Sequence, residues 1–251
     1  MIIGIGVVIC QWCFLRDGAF EMNKLFLRHG LFISAPKTEW MVFNDKFAED
    51  SITISDGKKF KRVDEFIYLG SVFTSDCKSD ADIERRLKLS KAAAAGINSL
   101  LWSPRIKRIQ KVRLIFCFVY PVLSYSCETW SISPVYKKKL DVQWMKWMRR
   151  CYGCTIFDKI RNAKILKTLF PDDAVKQLNM TGMISERQDR YVGHIFRMPN
   201  DRGVKLSLTA SFPNQNDFRH TKINWRHQAL TKLALKTKEE ITILYSKPKK
   251  K

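Results

Sequence analysis

Acidic residues are in short supply in this chain. Its 251 residues hold 24 Asp and Glu against 45 Lys and Arg, a formal net charge of +21. An imbalance of that size points toward a polyanion, most often nucleic acid. Long apolar runs are missing as well. The apolar stretch Met1–Cys10 falls far short of the roughly 20 residues that span a bilayer. No basic segment precedes it, so a secretory signal fits poorly and a buried first strand fits better. No membrane partner is expected. Histidine is rare, and His194, His220 and His227 lack zinc-site spacing from a cysteine pair. The seven cysteines are odd in number, which suggests free thiols in a reducing compartment rather than a disulfide framework. The pairs Cys10/Cys13 and Cys151/Cys154 stand more than a hundred residues apart, and no zinc centre is expected from them. Serine, histidine and aspartate occur without a nucleophile-elbow context, and no internal repeat is visible.

What is present is enough for a core. Hydrophobic residues make up 45% of the chain, which excludes a disordered tail and allows one large or two small domains. Charge is unevenly spread. Residues 1–80 hold 10 basic and 11 acidic side chains, net −1, and residues 81–251 hold 35 and 13, net +22. We place a junction near Ser79. In the front part, Ile2–Ile9, Phe32-Ile33, Trp40–Phe43, Ile52–Ile54 and Phe60–Val63 read as strands. Asp17–His29 reads as a short helix that Gly30 ends. Asp56-Gly57 is a hairpin signal. The stretch Asp64–Phe73 reads as a strand that stops at Gly70, with Phe66 and Tyr68 on one face and Ile67 and Leu69 on the other. The expectation is a small α+β piece, mostly antiparallel.

From Asp80 the period becomes helical. Ile83, Leu87, Ala94, Ile97 and Leu101 form one apolar stripe, with Ser79 and Asp82 as a weak capping box. Pro104 is expected to open a helix whose stripe is Ile106, Ile109, Val112, Phe116 and Tyr120. Beyond Leu114 this run is apolar all round and should be buried, until Pro121 ends or kinks it. A helix from Pro134 places Tyr136, Leu140, Trp144, Trp147 and Met148 on one side. Further helices are expected over Asn162–Leu169, Asp172–Leu178, Ser185–Met198 and Lys222–Glu240. Ile184, Tyr191, Ile195 and Met198 should face inward beside the third of these. Trp130, Trp144 and Trp147 offer rings for stacking on bases, but at helical spacing they read as core.

Several short segments, taken in order, resemble the reverse transcriptases of LINE-type (non-LTR) retrotransposons. Gly30–Phe43 contains Lys37-Thr-Glu and Met41, similar to that family's "GL-x-I-(N)-x-x-KT-x-x-M". Phe66-Ile-Tyr-Leu-Gly70 is similar to "F-x-YLG", the primer grip, and Glu128-Thr-Trp130 to the thumb's "ETW". Arg149–Asn162 resembles "RR-I-L-G-x-x-x-x-D-x-I-R-N", matching at Gly153, Asp158, Ile160, Arg161 and Asn162 but not at its cysteines. Gly193-His-Ile-Phe-Arg-Met198 and Asn224-Trp-Arg226 complete the series, so the resemblance runs from about Asp17 to Leu233.

The resemblance implies an α+β remnant of a reverse-transcriptase palm with its primer-grip hairpin over 1–79. A basic, all-α thumb-like region follows over 80–200, then a loop, terminal helix and basic tail over 201–251. It puts Lys37 near nucleotide phosphates and Tyr68, Leu69 and Gly70 against a primer strand. Arg105, Arg108, Lys111 and Arg113 would track a duplex backbone, joined by Arg187, Arg190, His194 and Arg197 on one face of a later helix. The family's paired aspartates, "(Y/F)-A-D-D", would hold two metals. Their place by layout falls in Met1–Cys10, which has no carboxylate, and the first acid is Asp17. Fingers, the first catalytic aspartate and the endonuclease would precede Met1. No catalytic residue, no metal site and no cofactor is therefore assigned, although the family uses Mg²⁺, and this chain alone is expected not to polymerise. The expected partners are RNA, DNA or an RNA–DNA hybrid. The tail Lys247–Lys251 is compatible with nuclear import of an intracellular protein. Two other readings remain open: a helical interaction protein whose charge is incidental, and a polymerase subunit that borrows its missing half from another chain.

Overall fold

A computed structural model describes residues 2–3, 6–8, 21–42, 51–53, 59–170 and 179–209. The expected helices over Asp172–Leu178 and Lys222–Glu240, the Cys10/Cys13 pair, Asp56-Gly57 and the basic tail lie outside the described residues. The chain divides into two compact units, Met1–Asp82 and Ile83–Lys251.

The first unit carries short strands. β1 (Ile2–Ile3) pairs with β3 (Phe32–Ile33), and β2 (Gly6–Val8) with β4 (Glu39–Met41). Both pairings are parallel, so each needs a crossover connection, and the helix α1 over residues 21–28 lies in it. Gly30, at φ +66°, ends α1. Its N–H donates to the Leu27 carbonyl and the N–H of Leu31 to that of Phe26, a Schellman cap. β4 also pairs in parallel with β6 (Lys59–Arg62), which pairs antiparallel with β5 (Ser51–Thr53). Trp40, Met41, Val42, Ile33 and Phe60 are buried, and the Trp40 indole N–H donates to the Phe60 carbonyl at 3.2 Å.

The expectation of a mostly antiparallel piece is therefore corrected: three of the five strand pairings among the described residues are parallel. Hairpins announce themselves through local turn residues. Parallel partners are chosen by packing across long connections, and nothing local encodes that choice.

The remaining pair, β7 (Glu65–Tyr68) and β8 (Ser71–Thr74), is a tight hairpin with Tyr68 opposite Ser71. Leu69 is its turn residue, not a member of a strand face as the alternation suggested. Asp82 also reaches back to the hairpin, where its Oδ1 accepts from the Val72 N–H at 3.0 Å. That bond ties the start of α2 (Asp80–Gly96) to the hairpin.

The second unit is helical. Ile83, Leu87, Ala94 and Leu101 are buried as expected, running along α2 into α3 (Asn98–Trp102), with Ile97 partly buried between them. Pro104 does not open the next helix. α4 (Arg108–Leu114) begins four residues later, where Gln110 Oε1 accepts from the Lys107 N–H at 3.3 Å. Of the expected stripe, Val112 is buried and Phe116 and Tyr120 pack partly buried against the core, joined by buried Ile115, Val119 and Leu123, while Ile109 is exposed. The run is not buried all round either, since Cys117 and Phe118 face solvent. Its middle, Ile115–Val119, is a π-turn that leads to α5 (Tyr120–Leu123) with Pro121 in its first turn. Pro121 has no N–H to give, and a wider turn just before it removes the clash of its ring with the preceding carbonyl. The proline is absorbed, not a terminator.

α6 (Pro134–Tyr152) is the spine of the unit. It begins with proline at its first position and ends at Gly153, φ +87°. The Cys154 N–H donates back to the Arg149 carbonyl at 3.0 Å. Leu140, Trp144, Trp147, Met148 and Cys151 are buried along one side. Around Trp144 stand Phe116 at 5.5 Å and Trp147 at 6.4 Å between ring centroids, both edge-on, the preferred aromatic geometry. α7 (Asn162–Leu169) has the expected bounds. α8 (Met180–Phe196) starts five residues before Ser185, because Asn179 caps it by accepting from the Gly182 N–H at 3.0 Å. Ile184 and Ile195 are buried as expected, whereas Tyr191 and Met198 are only partly so. The loop expected at the start of 201–251 is in part helical. A short helix, α9 (Gly203–Thr209), brings Lys205 Nζ to the Phe196 and Met198 carbonyls at 3.0 and 2.9 Å, where a cation satisfies the end of α8.

Candidate nucleic-acid interface

The first unit holds four of the residues singled out from sequence. Lys37 is exposed at the end of a 3₁₀ turn, Ala35–Lys37, which Thr38 braces by donating to the Ser34 carbonyl at 2.8 Å. Tyr68, Leu69 and Gly70 sit together at the tip of the β7–β8 hairpin. Leu69 has φ +48° and Gly70 φ +83°, the signature of a two-residue turn with both central residues left-handed. Glycine does this freely, but leucine at the first position costs on the order of 1 kcal/mol. Leu69 and Tyr68 are exposed, as are Ile67 and Phe73, so the hairpin offers an apolar tip.

On the helical unit the expected basic residues divide into two kinds. Arg105 and Arg113 are exposed. Arg108 lies over the Tyr152 ring at 4.4 Å and donates through Nε to the Tyr152 carbonyl at 3.1 Å, which docks α4 on the end of α6. Lys111 is only 5% exposed, so its assignment to a phosphate-tracking face is corrected. It occupies the inward side of α4 beside Val112, near the Cys151 thiol.

On α8, Arg187 is likewise corrected. It is a structural cation: Nε and Nη2 donate to Glu128 Oε1, the former at 2.9 Å, and Nη1 donates to Ser124 Oγ at 2.7 Å. Burial is the largest single influence and works against its charge, but the Glu128 bond and charge, with smaller contributions from Cys127 and Tyr120, together hold the guanidinium above its usual range. Gln188 beside it donates to the Cys127 and Trp130 carbonyls at 3.1 and 2.8 Å. Glu128-Thr-Trp130 is thus the strap that receives α8. Arg190 is exposed and paired with Glu186 at 2.8 Å, one helical turn away, a contact of little net stability. His194 and Arg197 are exposed further along α8. α4 and α8 each pack on α6.

Trp130, Trp144 and Trp147 are buried and unavailable for stacking. The ring that sequence reasoning missed is Trp102, at the end of α3 and 42% exposed. Cys151 and Cys154 both belong to the core. Burial pushes the Cys151 and Cys127 thiols up to about 12. Among the described residues no group of three or more His, Cys, Asp and Glu is placed to hold a metal, and no helix is long and apolar enough to cross a membrane.

The segment after α6 is tightly built. Asp158 Oδ2 accepts from the Thr155 N–H at 2.6 Å and from its hydroxyl at 2.9 Å; these bonds hold the Asp158 carboxyl below its usual range. Arg149 donates to the Thr155 carbonyl at 3.2 Å, the Ile160 carbonyl at 2.9 Å and Asn162 Oδ1 at 2.7 Å. Arg149, Gly153, Asp158 and Asn162, which fall in one matched segment of the sequence, form one loop-fixing device. The loop holds Ile156 and Phe157 out in solvent, beside a cleft of about 700 Å³ along α6.

The chain is similar to an uncharacterised transposon-derived protein of Caenorhabditis elegans, 24% identical over 181 residues. The match takes in 70% of this chain and 63% of that protein, so the chain spans less than two thirds of the relative's length. No family model and no solved structure matches it.

Proposed function

We propose that this chain is a piece of a LINE-type retrotransposon reverse transcriptase, an α+β palm remnant followed by an all-α thumb-like region. Its role is sequence-tolerant binding of RNA, DNA or their hybrid. Its likeness to a transposon-derived protein supports a transposon-related origin. The finer reading rests on the order of the short matches, together with one physical observation. Residues 81–251 carry a net charge of +22, and exposed Arg105, Arg113 and His194 form no ion pair among the described residues. Such cations neutralise phosphates without reading bases. The strained, exposed tip at Leu69-Gly70 suits a segment that presses on a strand, since strain of this kind persists where contact needs it. No carboxylate occurs among residues 1–16, so metal-dependent chemistry by this chain alone is not proposed, and binding should not need Mg²⁺.

The test is binding of the full chain to a labelled RNA–DNA hybrid at two salt concentrations, with and without EDTA, with a primer-extension assay in the same tube. Binding that weakens steeply with salt, ignores EDTA and yields no extension supports the proposal. Extension would show that catalytic carboxylates lie elsewhere in the chain. Absence of binding at low salt would leave a helical interaction protein whose charge is incidental. Extension restored only by a separately expressed N-terminal half would favour a split polymerase.

A further inference from the structure

The cleft along α6 is lined by apolar groups from three segments: Trp102 of α3, Val142 and Met145 of α6, and Ile156 of the fixed loop. All but Met145 are among the exposed large hydrophobic residues, with Val142 48% and Ile156 70% open to solvent. Cations rim it. Lys138, Lys146 and Arg150 line the cleft, and none is in an ion pair among the described residues. Arg149 gives its hydrogen bonds to two carbonyls and an amide oxygen, none of them charged, and acts on the Asp158 carboxylate only at a distance. The one carboxylate in the lining, Asp141, is committed. Its two oxygens accept from the Thr181 N–H at 2.9 Å and the Thr181 hydroxyl at 2.8 Å, at the start of α8. The result is a flat aromatic ring and aliphatic floor under a rim of four cations, Lys138, Lys146, Arg149 and Arg150, against the single carboxylate of Asp141, so the rim is positive on balance.

That combination matches a ligand with an apolar planar face flanked by negative charge. We propose that the cleft binds a single-stranded stretch of RNA or DNA, with an unpaired base against Trp102 and Met145 and its neighbouring phosphates on Lys138, Lys146 and Arg150. This deepens the nucleic-acid reading above and rests on it. A duplex keeps its base faces stacked inside and meets only the rim. A single strand satisfies both parts, because every base has a face to stack and the backbone supplies the charge. The loop adds preorganisation: Asp158 and Arg149 fix Thr155–Asn162, and Phe157, 87% exposed, stands next to Ile156 as a second apolar platform.

The test uses the full chain with labelled oligo(dT) and oligo(U) at low salt, read by fluorescence anisotropy, with a blunt RNA–DNA hybrid measured alongside. Trp102→Ala should weaken both oligonucleotides by about tenfold, the order of one lost base stack, and leave the hybrid unchanged. Trp102→Phe should retain binding within about threefold, because phenylalanine still stacks. Lys138→Glu, on an exposed rim residue, should weaken oligonucleotide binding and flatten its salt dependence by about one counterion. The Phe and Glu variants keep the test valid if Trp102→Ala does not fold, as judged by circular dichroism. Preference for one oligonucleotide identifies RNA or DNA as the source and supports the proposal. Hybrid binding with oligonucleotide affinities untouched by Trp102→Ala and Lys138→Glu overturns the cleft and leaves the general reading standing. Failure of both ligands to bind overturns both. Displacement of the oligonucleotide by poly-glutamate as readily as by unlabelled strand overturns the stacking site in favour of an acidic protein partner.

Discussion

Leu69 occupies a backbone conformation that asparagine or glycine would adopt with less strain, at φ +48° in the β7–β8 turn. Leu69→Asn should therefore stabilise the sheet unit by up to about 1 kcal/mol, seen as a higher urea midpoint. If hybrid affinity falls in the same variant, the strain is retained for contact; a lower midpoint would contradict the strain argument. Arg187 and Arg113 make a second contrast, since both are arginines in the basic half but only Arg187 is bonded to Glu128 and Ser124. Arg187→Ala should cost about 2–3 kcal/mol by leaving Glu128 without its partner in a half-buried site. Arg113→Ala should stay within about 0.5 kcal/mol in stability and lower the salt slope of binding by about one. Thermal melts and salt titrations of the two variants separate structural from ligand-facing charge.

The cysteines set a pH limit. Cys127 and Cys151 have thiols raised from 9.0 to about 12 by burial. A raised folded-state value stabilises the protein below the unfolded pKa, and that contribution is lost as pH climbs toward the folded one. The helical unit should lose stability from about pH 9 to 12, and alkylation at neutral pH should label exposed Cys77 and Cys117 well before Cys127 and Cys151. Peptide mapping after brief alkylation checks this; early modification of Cys151 would contradict it.

At the scale of elements, helices with a regular apolar stripe were legible from sequence and those with a special feature were not. α7 has the expected bounds, and α6 buries the expected Leu140, Trp144, Trp147 and Met148. α4 starts at Arg108 rather than at Pro104, and the π-turn at Ile115–Val119 widens the spacing, so that Ile115 and Val119 are buried beside the expected Val112, Phe116 and Tyr120. α8 was entered late because Gly182 interrupts its first turn, though Asn179 just before Met180 is the signal that marks its true start. Asn179→Ala should cost about 1 kcal/mol by freeing the Gly182 N–H, measurable as a lower melting temperature. No change would mean that Asp141, through Thr181, suffices to cap α8. The candidate site was less legible than the fold. Basic residues were readable as a set, but whether each faced solvent, as Arg113 does, or a partner, as Arg187 does, depends on Glu128 some 59 residues away.

At the scale of the molecule, the short matches scattered along the sequence converge on structure. Glu128 and Trp130 receive α8 through Arg187 and Gln188, and Arg149 and Asp158 fix the loop after α6. These residues brace the helical unit, while Arg105, Arg113 and the cleft along α6 are open to solvent. The most direct measurement is the slope of log affinity against log salt for the full chain on a labelled RNA–DNA hybrid. Each neutralised phosphate contributes about 0.9 to that slope on a duplex, so a face of several exposed cations predicts a steep value, on the order of 3 to 5. A slope near zero, or no binding at low salt, would contradict a nucleic-acid role for the basic helical unit.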